Sequence, residues 1–131
     1  MTLLVEETTG VQMAMLTDRP AVVLRINKLW HPEMDVDDVY DATRGWWVVG
    51  PKREDCEYAI AVANGVVRGV YRIHAWRPRG TGDHNWQDDA PDKPRWGFDG
   101  APAPELQHVI GRDVSDLFPR GSANPVTYFN V

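Results

Sequence analysis

Six tryptophans are the side chains of this chain best suited to recognition chemistry. They are Trp30, Trp46, Trp47, Trp76, Trp86 and Trp96, and all but the first fall between positions 46 and 96. One core of a 131-residue protein cannot hide six indoles, so some rings must be partly exposed. An exposed ring can stack on a flat ligand, and stacking on a nucleic-acid base contributes about 1 to 3 kcal/mol. The alternative is a structural set, with Trp47 and Trp96 in the core and the others covering loops.

The stretch ATRGWWVVG, residues 42 to 50, places two of these indoles side by side. Neighbouring positions of a strand point to opposite faces of the sheet. Trp46 and Trp47 therefore cannot both point into one core. We assign Trp47 to the core, because Val49 lies on the same side of the predicted strand, and Trp46 to a cleft beside Arg44.

Basic residues are concentrated in the same part of the chain. The net charge is -5, but residues 44 to 79 hold seven basic and three acidic side chains, which leaves -9 for the rest. A basic centre in an acidic protein permits contact with a few phosphates and discourages non-specific coating of nucleic acid. The alternative is a set of scattered, solvated charges.

Catalytic chemistry has less support. Ser115 and Ser122 lie in no nucleophile-elbow context, and no glycine-rich phosphate loop is present. Acidic neighbours would raise the pKa of Cys56 and make it a poor nucleophile. The four histidines are widely spaced, and the acidic loop around His84 meets no metal-site spacing, so we expect neither a metal nor a cofactor.

Size and composition predict one globular domain after an N-terminal arm over residues 1 to 20. The hydrophobic fraction of 43% and the charged fraction of 25% are ordinary for such a domain. No run approaches the roughly 20 apolar residues of a membrane span, and Glu6 and Glu7 stand where a secretory signal would be basic. The single cysteine excludes an intrachain disulfide. We therefore expect no membrane association and a cytoplasmic location.

The elements that must position these residues are short. AVVLRI (21–26), GWWVVG (45–50), RWGFDG (95–100) and the final NPVTYFNV predict strands. Asp35 is a plausible N-cap of a helix that ends at Gly45, and APELQHVIGRDVSDLF predicts a short helix and then a turn near Asp113. Residues 77 to 94 predict a long loop that contains Trp86.

Asn64-Gly65 is the strongest local signal, because Asn-Gly between two apolar runs is typical of a two-residue hairpin. In the first arm, Tyr58, Ile60 and Val62 predict a core face, and the alternating alanines predict a face that allows close approach of another segment. Gly69 in the second arm predicts a bulge or bend.

The fold class expected from this pattern is α+β: a small, bent, partly closed β-barrel of five or six mainly antiparallel strands with two or three short helices. A doubly wound parallel sheet is excluded, because a two-residue turn makes the two central strands antiparallel.

TRGWWVVGPKRE, YAIAVANGVVRGVYRI, RWGF and NPVTYFN together resemble a PUA-like β-barrel of the EVE and ASCH branch. They are also similar to domains appended to bacterial GIY-YIG-type nuclease proteins. The resemblance covers residues 21 to 131 and implies one barrel domain that holds a nucleobase, often modified, in an aromatic pocket. It places the first barrel tryptophan at Trp46 or Trp47, the Arg and Tyr before the hairpin at Arg53 and Tyr58, and the closing aromatic at Trp76. GPKREDCE departs from the catalytic ASCH pattern, which favours binding over amidohydrolase activity.

We therefore expect a non-catalytic module that recognises a modified base in DNA or RNA. The expected partners are nucleic acid and a nuclease or other effector protein. The candidate base-binding residues are Thr43, Arg44, Trp46, Trp76, Trp86 and Asn124. The candidate phosphate-binding residues are Arg53, Arg72 and Arg77. Two alternatives stay open: a small enzyme on a modified nucleoside, with Lys52 or Glu54 assisting proton transfer, and a protein-interaction module that uses exposed tryptophans.

Overall fold

The structure is a computed structural model that describes residues 16–79, 95–118 and 124–131. It is α+β, as expected. The described strands are β1 (Ala21–Arg25), β2 (Tyr58–Ala63), β3 (Val66–Pro78), β4 (Trp96–Pro102) and β5 (Val126–Phe129), the α-helix is α1 (Val36–Arg44), and 3-10 helices cover Pro51–Asp55, Pro104–Val109 and Ser115–Leu117.

The five strands form one mixed sheet in the order β4-β3-β2-β1-β5. Three of its four strand pairs are antiparallel, and β1 pairs with β2 in parallel. The described residues do not form the expected partly closed barrel, because β4 and β5 lie at opposite edges of the sheet. A parallel pair needs a crossover connection, and here α1 lies within the crossover between β1 and β2.

Both faces of the sheet are covered, which explains why β1 and β2 are buried almost throughout. One core lies between the sheet and the last two 3-10 helices, and it includes Ile60, Val62 and Val109. The other core lies between the sheet and α1, and it includes Ala61 and Val39. The predicted Tyr58 face and alanine face of β2 are both confirmed, and each serves a separate core. We call these two sides of the sheet the 3-10 face and the helix face.

Helix α1 begins and ends as its sequence predicts. The Asp38 backbone N–H donates to the Asp35 side chain at 2.9 Å, and the Asp35 N–H donates back to the Asp38 carboxylate at 3.2 Å. This reciprocal capping box satisfies two backbone donors that the first turn would leave unbonded. Gly45 follows the last helical residue in an extended conformation.

The predicted hairpin is confirmed. Asn64 and Gly65 both have positive φ, 52° and 77°, and the strands they join are antiparallel. The predicted irregularity at Gly69 is also confirmed, because the pairing register of β2 and β3 shifts between Ala61/Gly69 and Val62/Val67. A bulge of this kind bends β3, whose first half pairs with β2 and whose second half pairs with β4.

Residues 45 to 50 were expected to form a strand, and that prediction is wrong. Trp47 makes a single antiparallel bridge with Trp96, with N–H···O distances of 2.8 Å in both directions. After Trp47, the backbone groups bond to side chains and not to a neighbouring strand. The Gly50 N–H donates to the Tyr128 hydroxyl, and the Val49 carbonyl accepts from the Arg53 guanidinium.

Two backbone positions on the outer edge of β4 are hydrogen-bonded to groups outside the sheet. The Trp96 backbone is bonded to Trp47, and the Gly100 N–H donates to the Tyr40 hydroxyl at 2.9 Å. Tyr40 belongs to α1, so the helix and the Trp46-Trp47 segment together cover part of this edge. Within the described residues, no helix is long and apolar enough to cross a membrane.

Candidate functional site

Trp46 and Trp47 have different surroundings, as the sequence predicts. Trp47 is buried in the core of the helix face, where its indole Nε1–H donates to the Thr43 carbonyl at 2.7 Å. Val49 is buried with it, and Val48 is exposed. Trp46 is half-buried and lies outside this core.

Two glycines set the position of Trp46. A Cβ on Gly97 would lie 2.8 Å from the Trp46 ring, so only glycine allows the indole to pack this closely on β4. A Cβ on Gly45 would lie 3.5 Å from the Gly97 Cα, so the two backbones are close neighbours as well. The peptide bond between Gly45 and Trp46 is cis.

A cleft of about 410 Å³ lies on one side of Trp46, and we call it the first cleft. It is lined by Leu29, Asp41, Arg44, Gly45, Trp46, Arg77, Gly97, Phe98 and Asp99. Its volume is in the range of small-molecule sites, about 300 to 1,000 Å³. Leu29, which is exposed, and the half-buried Trp46 supply apolar surface, and charged side chains stand at the rim.

Two guanidinium groups converge on one carboxylate in the first cleft. Arg44 Nη2 lies 3.1 Å from Asp99 Oδ1, and Arg77 Nη2 bonds to Asp99 Oδ2. The Arg77 side chain is 72% exposed and that of Arg44 is 45% exposed. Both cations can therefore reach an anion at the mouth of the cleft with little desolvation of their own.

A second cleft, of about 450 Å³, is also lined by Trp46. It is lined by Arg25, Ile26, Asn27, Lys28, Leu29, Gly45, Trp46, Trp47 and Pro125. Lys28 is exposed at its rim, while the Arg25 guanidinium bonds to the Asn124 carbonyl and lies over the Phe118 ring at 4.8 Å.

The structure brings together only part of the predicted base-binding set. Arg44 and Trp46 line the first cleft, and Trp76 packs edge-on against Phe98 of that cleft, with ring centroids 5.3 Å apart. The Trp76 indole nitrogen is buried and finds no hydrogen-bond partner among the described residues. Trp86 lies outside the described residues.

Thr43 and Asn124 have structural partners. Thr43 is fully buried, and its hydroxyl donates to the Val39 carbonyl at 2.6 Å, so it presents nothing to a ligand. It also bonds to Tyr71, whose pKa burial raises to about 12. Asn124 is exposed next to Pro125 of the second cleft, but its side-chain oxygen accepts from the Val126 N–H at 3.0 Å.

The predicted phosphate-binding arginines lie in three different places. Arg77 stands at the first cleft. Arg53 has a side chain only 14% exposed, and its guanidinium stacks 3.5 Å above the Trp96 ring, which makes it a packing residue. Arg72 lies on the 3-10 face, where it bonds to Glu105 at 3.0 Å and to the Tyr58 hydroxyl at 3.2 Å. The hydrogen bond with Glu105 raises the pKa of Arg72. One ligand at Trp46 cannot contact all three.

Sequence reasoning missed Asp99, Gly97 and Leu29. The signal for Gly97 was present, because glycine inside a strand often marks close approach of another group. Asp99 follows buried Phe98 in β4, so strand alternation alone predicts that its side chain points away from the core that holds Phe98. Its position beside Arg77 follows only from the pairing of β3 with β4.

The residues of the two alternative functions do not gather at this site. Lys52 and Glu54 lie on the 3-10 helix Pro51–Asp55 and line neither cleft. None of the five described tryptophans is fully exposed. Among the described residues, no cluster of His, Cys, Asp and Glu could hold a metal ion. Comparison with protein-family models, curated proteins and solved structures finds no match to this chain.

Proposed function

We propose that the surface around Trp46 binds a base of a nucleic acid and holds its flanking phosphate with Arg44 and Arg77. The observation that carries this proposal is the half-buried indole packed on Gly97 at the wall of a 410 Å³ cleft with two arginines at its rim. Stacking is worth about 1 to 3 kcal/mol per base, and arginine adds charge-assisted bonds to phosphate. The resemblance to PUA-like domains favours a modified base.

The acidic net charge is compatible with such a site. With a net charge of -5, the protein repels a polyanion at long range, so binding depends on a few local cations. Arg44 and Arg77 are already paired with Asp99, and a phosphate can share or replace that carboxylate. We therefore expect modest affinity and a shallow salt dependence.

The test compares two arginines of the same strand. Arg77→Gln and Arg72→Gln remove the same charge from β3, each from an ion pair with a different carboxylate, Asp99 for Arg77 and Glu105 for Arg72. Binding of a labelled 12-nucleotide single strand is followed by fluorescence anisotropy between about 50 and about 300 mM salt. Over this range the Debye length changes by roughly a factor of 2, so the screening of charges changes strongly. Arg77→Gln should weaken binding and lower the salt slope by about 0.7, the value for one lost contact to a single strand.

Arg72→Gln should leave both quantities unchanged. Equal effects of the two variants would show that the binding follows total charge and has no site at Trp46. No binding by the wild-type protein to a panel of unmodified and modified strands would contradict the proposal directly.

A further inference from the structure

Trp46 lines both the first and the second cleft. This shared residue bears on how many bases the ligand places at the site. The two clefts have Leu29, Gly45 and Trp46 in common, so the clefts adjoin at these residues. We propose, on the basis of the function above, that Trp46 stands between two successive bases of one single strand, with one base in each cleft.

The two clefts are alike in size and in chemistry. Their volumes are about 410 and 450 Å³. Each has apolar surface from Leu29, which is exposed, and from the half-buried Trp46. Each also has an exposed cation at its rim, Arg77 or Lys28. A base with its phosphate therefore meets the same kind of environment in both clefts.

The Trp46 indole is held in this position by β4 and by its anchored neighbour Trp47. Gly97 brings β4 against the ring, and the neighbouring Trp47 is anchored in the core by its bond to the Thr43 carbonyl. A side chain fixed in this way loses little conformational freedom when a ligand binds. It can act as a wedge, in the manner of side chains that insert between base steps and unstack them.

A wedge of this kind selects the single strand. The bases of a single strand are already free to separate, whereas a duplex must lose stacking and pairing energy, a few kcal/mol per step. The lining of the two clefts offers no extended row of cations for a second strand: the described basic residues are Arg44 and Arg77 in one, and Arg25 and Lys28 in the other.

The experiment measures affinity for four probes by competition against a labelled hexanucleotide. The probes are a nucleoside 5′-monophosphate, the 5′-phosphorylated dinucleotide, the same dinucleotide with one base replaced by an abasic sugar, and a blunt 12-base-pair duplex. Deoxyribose and ribose versions are run in parallel. The dinucleotide should bind about 5- to 150-fold more tightly than the mononucleotide or the abasic probe, as expected for one additional stacked base. The duplex should bind more weakly than a single strand of the same length.

Variants assign each base to its cleft. Arg77→Gln and Lys28→Gln should each weaken dinucleotide binding, whereas only one of them should weaken mononucleotide binding. Arg72→Gln is the matched charge control and should change neither. Trp46→Phe should keep part of the dinucleotide advantage and Trp46→Ala should remove it, with thermal melts confirming that both variants are folded.

The outcomes separate the two proposals. Equal affinity for the mononucleotide and the dinucleotide, both dependent on Trp46, would overturn the two-base arrangement and leave a single-base site intact. Duplex binding as tight as single-strand binding would overturn it as well. No Trp46-dependent binding of any probe would overturn both proposals.

Discussion

Trp46 and Trp47 differ in what their loss should do. Trp47 is 9% exposed and bonds to the Thr43 carbonyl, so Trp47→Ala removes a buried ring and leaves a carbonyl without its donor. We expect a loss of about 3 to 5 kcal/mol in the free energy of unfolding. Trp46→Ala should cost clearly less stability but should abolish ligand stacking. Urea denaturation of both variants measures this difference, and an equal loss would make the two indoles equally structural.

Asp99 is the residue whose removal should strengthen anion binding. It neutralises Arg44 and Arg77 at the first cleft. Asp99→Asn releases both guanidinium groups and removes a negative charge near the expected phosphate, which is worth about 1 kcal/mol at 4 Å in water, or about 5-fold in affinity. Titration with inorganic phosphate and with the 12-nucleotide strand measures the gain.

The matched control is Glu105→Gln, which removes the partner of Arg72 on the 3-10 face. It has the same charge change and the same type of ion pair. An equal gain of affinity in Glu105→Gln and Asp99→Asn would mean that the gain comes from the change in net charge and not from the release of Arg44 and Arg77.

At the scale of elements, the β2–β3 hairpin depends on Gly65 for two reasons. Its φ of 77° is unfavourable for other residues, and a Cβ there would collide with the Ser115 hydroxyl. Gly111 provides the control, because its φ is 97° but a Cβ would meet no atom within 4 Å. Gly111→Ala should cost about 1 to 2 kcal/mol from backbone conformation alone.

Gly65→Ala should cost more than Gly111→Ala, because the collision adds to the conformational term. The double variant Gly65→Ala/Ser115→Ala should recover part of that excess in a urea melt. No difference between the two glycine variants would mean that the Ser115 segment moves aside freely.

Local signals predicted the helix and the hairpin, because their causes lie within a few residues. Asp35 and Asp38 cap α1 through bonds that span three positions, and Asn64 and Gly65 themselves supply the positive-φ conformations that their turn requires. The burial of Trp47 also followed from local alternation with Val49.

The arrangement of the sheet could not be predicted in this way. Continuous apolar runs such as AVVLR and YAIAVA fit a strand buried on both faces, but they do not say whether neighbours run parallel or antiparallel. The parallel pairing of β1 with β2 and the position of β4 and β5 at opposite edges are both long-range features of this kind. The predicted arginine set is divided by long-range contacts as well, because Arg53 packs on Trp96, Arg72 pairs with Glu105 and Arg77 pairs with Asp99.

At the scale of the whole molecule, alkaline pH should unfold the protein in a defined window. Burial raises the pKa of Cys56 from 9.0 to about 11, with Asp55 adding to the shift, and burial raises that of Tyr71 from 10.0 to about 12. Tyr58 and Tyr128 shift in the same direction. The unfolded chain therefore releases these protons at lower pH than the folded protein does. The stabilisation from these groups is fully present below pH 9 and is lost as the pH rises from 9 to 12.

The midpoint of thermal unfolding, measured across this range, checks the prediction. Cys56→Ala should flatten the lower part of the window and Tyr71→Phe the upper part, after each variant is compared with its own midpoint at neutral pH. A midpoint that stays constant up to pH 12 would contradict the burial of both groups.

The bond from Gly100 to the Tyr40 hydroxyl also bears on how the protein behaves at high concentration. An edge strand with unbonded N–H groups is a template onto which a second copy can add its own strand. Tyr40 and the Trp47 backbone occupy two such positions on β4. Tyr40→Phe exposes the Gly100 N–H while keeping the aromatic ring, so it should increase self-association, measured by light scattering and by thioflavin T fluorescence. The helix that carries Arg44 of the first cleft is therefore expected to protect this edge of the sheet from pairing with a second copy as well.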